Sequence, residues 1–174
     1  MVHYLGWDDN ERPIAYLITF RTYGTWLHGD DRLSVDRHNG KNVYGSPAIE
    51  PNKKLNRIME AKITGDAFLL DADGRKVVDK AIREVCRIRE YSLFAVNVRS
   101  NHAHSVVSAA AKPDAIMNAF KSNATRELRK AGLVADEKIW SRGGSTRYLW
   151  KSVHVDRAVD YVLYGQGDDF PELV

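Results

Sequence analysis

A single cysteine, Cys86, in 174 residues leaves nothing to form an internal disulfide, so burial alone must hold the fold together. That usage suits a reducing, cytoplasmic setting. No run approaches the roughly 18 consecutive apolar residues that cross a bilayer, and no membrane partner is expected. The opening residues MVHYLGWDDNERP lack both the basic stretch and the apolar segment of a secretory leader. Neither sign of charge dominates, with 26 Lys and Arg against 23 Asp and Glu. Internal repeats are absent too, which excludes solenoids and propellers. What remains is 44% apolar and 28% charged, the ordinary balance of a globular protein, at a length that closes one real core. Residues 1–174 therefore read as a single domain.

The β-branched and aromatic stretch Ile14 to Gly24 reads as a strand. A loop-rich insertion follows at about 25–70, broken by glycines and prolines, with helical character only from Asn52 to Ile63; connections of that length are often functional. From Gly74 to Arg89 the stripe Val78, Ala81, Ile82, Val85 and Cys86 marks a helix, with Cys86 as a small buried side chain. Ser92 to Asn101 alternates, placing Phe94, Val96 and Val98 on one face and Asn97 and Arg99 on the other. His102 to Ala109 follows as its hairpin partner, turned near Ser100 and Asn101. Pro113 opens a second helix that stops at Gly132. Arg147 to Trp150 is a short strand. Asp156 then reads as the N-cap of a last helix, whose core stripe would be Val159, Val162 and Leu163. The order predicts an α+β fold: a ferredoxin-like split βαββαβ with one antiparallel sheet, helices on one face, and an additional C-terminal helix.

Two features carry chemistry. In Asn101-His102-Ala103-His104 the histidines stand at i and i+2 of a strand, so both imidazoles leave the same face, as two ligands of one metal must. Tyr161 lies on the last helix beside a stripe that does not need it, which leaves its hydroxyl accessible. No histidine has Thr or Ser two residues on, which excludes the two-histidine phosphoesterases with their H-x-T/S motifs. A metal sensor would leave Tyr161 unexplained. Between Lys112 and Arg157 the chain carries 10 Lys and Arg against 5 Asp and Glu, a local excess that suits a phosphate backbone.

NHAH resembles the His-hydrophobic-His signature of the HUH superfamily, and DYVLYGQ resembles the nucleophile helix of its single-tyrosine transposases, the insertion-sequence and REP-associated types. IAYLITFRTYGTWLHGD, VRSNHAHSVVSA and STRYLW are similar to bacterial proteins of the same group, so the resemblance spans about Ile14 to Gln166. It implies the same ferredoxin-like core and metal-dependent cleavage and rejoining of single-stranded or hairpin DNA. Tyr161 would be the nucleophile, and its attack would leave a 5′-phosphotyrosine and a free 3′-OH. His102, His104 and Gln166 would hold Mg²⁺ or Mn²⁺, and relatives act as monomers or as homodimers. Ala103 is smaller than the usual central residue. Gln166 stands five residues after Tyr161, where family members often have four. Tyr164 is a competing nucleophile. Lys121, Arg126, Arg129, Lys130, Arg142, Arg147 and Lys151 are the expected backbone contacts. Trp26, Trp140 and Trp150 are candidates for stacking on unpaired bases, at least one of them being core. His28, Asp30 and Asp31 are candidate supplements to the metal site. The alternative function is a non-catalytic nucleic-acid-binding regulator derived from a transposase.

Overall fold

Strand β1 (Ala15–Arg21) is buried at six of its seven positions, because it runs through the middle of the sheet and is covered on both faces. The computed structural model describes residues 12–25, 66–135 and 138–165. Most of the expected insertion, the Asn52 to Ile63 helix, Trp26, His28, Asp30, Asp31 and Gln166 lie outside the described residues. Where the described chain resumes, Phe68 N–H donates to the Tyr23 carbonyl and Leu70 N–H to that of Ser100. The chain therefore enters the first of its described helices alongside the end of β1.

Helix α1 (Ala72–Ile88) starts at Asp71, whose carboxylate accepts the Gly74 N–H at 2.7 Å. Its stripe Val78, Ala81, Ile82, Val85 and Cys86 is buried as the periodicity predicts. Burial pushes the Cys86 thiol up to about 11, which makes it an inert packing residue. Strands β2 (Ser92–Val98) and β3 (His102–Ser108) form the expected hairpin, closed by Arg99 N–H to the His102 carbonyl. Helix α2 (Pro113–Lys130) carries proline in its first turn and ends before Gly132, which takes φ 70°. Asn123 ties the two helices, donating to the Ala81 carbonyl and to Glu84. Strand β4 (Ser145–Leu149) and helix α3 (Ser152–Tyr164) are the last elements of the described residues.

The sheet order is β2-β3-β1-β4 and every neighbouring pair is antiparallel, the split βαββαβ arrangement. Helices α1 and α2 cover one face, burying Ile18, Phe20, Val96, Val98, Ala103 and Val107 against Val78, Ile82, Ile116, Phe120 and Leu128. Helix α3 lies on the opposite face, where Leu17, Ala95, Val106 and Leu149 pack against Val155, Ala158 and Val162. The expectation of helices on one face thus holds for α1 and α2 alone.

Three local readings change. Helix α3 begins at Ser152, so Asp156 sits inside it and caps nothing; the cap position is Lys151, with no side-chain bond. The extra turn allows Val155 to be buried, and the stripe becomes Val155, Ala158 and Val162, leaving Leu163 41% exposed. In β2 a bulge between Leu93 and Ala95 breaks the alternation, so Phe94 packs on the α3 side, away from Val96 and Val98.

Gly144 marks a tight approach. A Cβ there would overlap the Thr19 carbonyl oxygen and lie 2.5 Å from Met117 Sδ. Gly144→Ala is expected to lower stability by roughly 2 kcal/mol, read from the urea midpoint. An unchanged midpoint would mean that β4 separates from β1 there at no cost.

Candidate active site

On β3, His102, His104 and Val106 face α3, while Ala103 and Val107 face α1 and α2. Ala103 is fully buried in register between Phe20 and Val98, which explains a small residue between the two histidines. The imidazole centroids lie 4.5 Å apart, edge to face.

Both rings are oriented from behind. Thr19 stands directly opposite His104 in the sheet, and its Oγ1 lies 2.6 Å from His104 Nδ1, with both residues buried. Asn101 Oδ1 lies 2.6 Å from His102 Nδ1. The turn carrying Asn101 is itself pinned, because its carbonyl accepts the Thr22 N–H at 2.9 Å. Where Nδ1–H donates to its oxygen, a ring carries its lone pair on Nε2, the arrangement seen in metal-binding imidazoles; Asn101 Oδ1 can only accept, whereas the Thr19 hydroxyl can take either role. This donor set fits a divalent cation. Among the described residues no group of three His, Cys, Asp or Glu forms, and a cation held by the two imidazoles would need further ligands to complete its shell.

Asn97 faces His104 from the other side, in register on β2. Its amide donates at 2.9 Å to the carbonyl of Val162, in the last turn of α3. A single rung of the sheet therefore runs Asn97, His104, Thr19, Ser145, and it holds the end of α3 over the histidines. Tyr161, one residue before Val162, is 43% exposed, with its ring 5.5 Å from that of His104. Together they line a cleft of about 280 Å³ with Leu17, Thr19, Arg21, Ser145 and Arg147. Tyr164, indistinguishable from Tyr161 by helical angle, is 79% exposed and does not line the cleft.

The basic segment divides. Arg147 enters the cleft, Lys151 precedes α3, and Arg142 lies in the loop before β4. Lys121, Arg126, Arg129 and Lys130 belong to α2, in the helix layer on the other face of the sheet. Lys121 donates to the carbonyls of Ser141 and Gly143. Arg126 pairs with Glu127 and Glu84, Lys130 with Glu127, and Arg129 Nε donates to the Ala135 carbonyl. A count along the chain could not see that α2 and β4 serve opposite faces. Trp140 is structural, donating to the Lys121 carbonyl and Thr125 Oγ1 with its ring edge-on to Phe20.

Residues 66–162, more than half of the chain, match the family model described as transposase IS200 like. The chain belongs to the IS200-like transposases. The matched span includes both histidines and Tyr161, and it begins after β1, so this family member draws Thr19 and Arg21 from outside it. No curated protein sequence matches the chain. Among solved structures it is similar to a REP-associated tyrosine transposase bound to a REP hairpin, at 13% identity and a TM-score of 0.48. That match covers 85% of this chain and 63% of the other, so the chain spans less than two thirds of that protein's length. No helix among the described residues is long and apolar enough to cross a membrane.

Thr19→Val keeps the shape at the site and removes the oxygen behind His104. Affinity for Co²⁺, followed by its absorption bands, is expected to fall about ten-fold or more, while Thr19→Ser retains it. Equal affinity in all three proteins would show that His104 needs no such partner.

Proposed function

We propose that this chain cleaves and rejoins single-stranded or hairpin DNA through a 5′-phosphotyrosine at Tyr161, as a DNA transposase. The observation that carries the reading is the meeting of His104 and Tyr161 in one cleft lined also by Arg21 and Arg147, with the His102 ring against that of His104. His102 and His104 would hold Mg²⁺ or Mn²⁺, with Gln166 as the proposed third ligand. A divalent cation there supplies Lewis-acid polarisation of the scissile phosphate. Tyr161 Oη attacks phosphorus and loses its proton; the P–O3′ bond breaks, and the departing O3′ takes up a proton. The strand ends as a free 3′-OH and a 5′-phosphate esterified to Tyr161. One phosphoester replaces another, so an incoming 3′-OH can attack the phosphotyrosine, release Tyr161 and rejoin strands without ATP.

The chain's own residues supply position and charge. Asn97 fixes the end of α3, and Thr19 and Asn101 fix the imidazoles, which restricts Tyr161 and the phosphate to few relative orientations. Arg21 and Arg147 offset charge on the non-bridging oxygens. Two such chains acting as a homodimer would supply the two cuts that release a DNA segment.

The test is 3′-end-labelled single-stranded or hairpin DNA incubated with the protein and Mn²⁺ or EDTA, then resolved on denaturing gels. Label transferred to protein only with metal is expected. Binding with no transferred label under any metal would favour the alternative, a non-catalytic DNA-binding regulator.

A further inference from the structure

The strand that carries Arg147 into the cleft carries aromatic side chains on its other face. Tyr148 pairs with Tyr16 in register, and their rings meet edge to face at 5.3 Å. Trp150, just past the end of β4, lies nearly parallel to Tyr148, at 13° between planes and 6.1 Å between centroids. The series runs outward: Tyr16 is buried, Tyr148 half-buried, and Trp150 39% exposed. Leu149, between the two outer aromatics, is fully buried beneath α3 and does the packing at this end of the strand. Burial therefore accounts for Leu149 and Tyr16 and leaves the exposed indole unexplained.

Position makes the series more than a decorated core. Strand β4 is at the edge of the sheet, and α1 and α2 rest chiefly on β2 and β1, so the aromatic series marks the rim of the helix layer. Arg147 and Trp150 are three residues apart, about 10 Å at strand rise, on opposite faces of a layer one strand thick. An extended single strand crosses that distance in one or two nucleotides. The run Arg147, Tyr148, Leu149, Trp150, Lys151 places a cation on either side of the aromatics, the alternation that a chain of phosphates and bases requires.

We propose that Trp150 is a stacking platform for one unpaired base of a strand that rounds the β4 edge, a nucleotide or two from the phosphate held beside Arg147. The proposal rests on the single-stranded DNA reading above and adds where the strand goes on leaving the cleft. Stacking on an indole requires an unpaired base, so the platform selects single strands over duplex without reading sequence. The rival occupant of an exposed aromatic edge is a second copy of this chain.

Two measurements on the full chain test it. Trp150→Ala should weaken binding to a fluorescent single-stranded oligonucleotide roughly ten-fold, Trp150→Phe should keep it within about three-fold, and duplex binding should be unchanged. Abasic substitution at successive positions, tested with the unmodified chain, should reveal one position with the same loss. That loss should vanish in Trp150→Ala, because the two changes remove one interaction. Full single-strand affinity in Trp150→Ala, or a flat abasic scan, overturns the platform while leaving tyrosine-dependent cleavage intact. A Trp150→Ala chain whose only change is a lower solution mass overturns it in favour of the second copy. Absence of single-strand binding by the unmodified chain sinks the functional reading and the platform together.

Discussion

Tyr161→Phe is expected to reduce the covalent protein–DNA adduct to background while leaving oligonucleotide affinity within about two-fold. Phenylalanine keeps the ring against His104 and removes only the attacking oxygen. Tyr164→Phe is expected to leave both quantities unchanged, because Tyr164 stands in solvent outside the cleft. The contrast matters, since Tyr161 and Tyr164 lie within about 60° of each other around the helix axis. What separates them is the Asn97 tether at Val162, which holds the turn containing Tyr161 against the sheet. The reverse pattern would move the nucleophile to Tyr164 and imply that the last turn of α3 rearranges on binding DNA. Adduct surviving both changes would place the attacking group elsewhere.

Replacing both His102 and His104 by alanine is expected to abolish cleavage and Co²⁺ binding while changing DNA affinity only a few-fold, since phosphate contacts elsewhere supply most of that affinity. The two positions are not equivalent in cost. His104 is buried, and its loss strands the Thr19 hydroxyl, a penalty of about 1–3 kcal/mol in stability. His102 is partly exposed, so His102→Ala alone should keep the melting temperature and still lose the metal. A His102→Ala protein that binds Co²⁺ like the parent and cleaves at the parent rate would remove the histidine pair from the chemistry.

Much of this was readable in the sequence because the fold obeys short-range rules. The helical stripe from Val78 to Cys86, Pro113 at the start of α2 and the i, i+2 histidines each depend on residues within a few positions of one another. What escaped depends on register between distant strands. Thr19 sits in an apolar run where nothing marks it as the partner of a residue 85 positions away. Asn97 reads as one more polar residue of an alternating strand until α3 is laid across it. The same holds for Arg21, which register brings to the cleft, and for the four cations of α2, because a linear count does not show the side of the sheet on which they stand. Helix α3 begins early because Val155 has a hydrophobic surface to cover, which no capping residue announces.

The bulge at Phe94 gives the site a dependence of another kind. Leu93 pairs with Val107 and faces the helix layer, whereas Ala95 and Asn97 pair with Val106 and His104 and face α3. Six residues from Leu93 to Val98 span five rungs, and the surplus residue reverses which face each later side chain takes. The hold on α3 is thus encoded in a number as well as in a side chain. Substitutions along β2 leave that number intact, whereas loss or gain of one residue between Leu93 and Asn97 changes the face of one against the other. Lineages of this fold that tolerate many replacements in the hairpin therefore have reason to conserve its length.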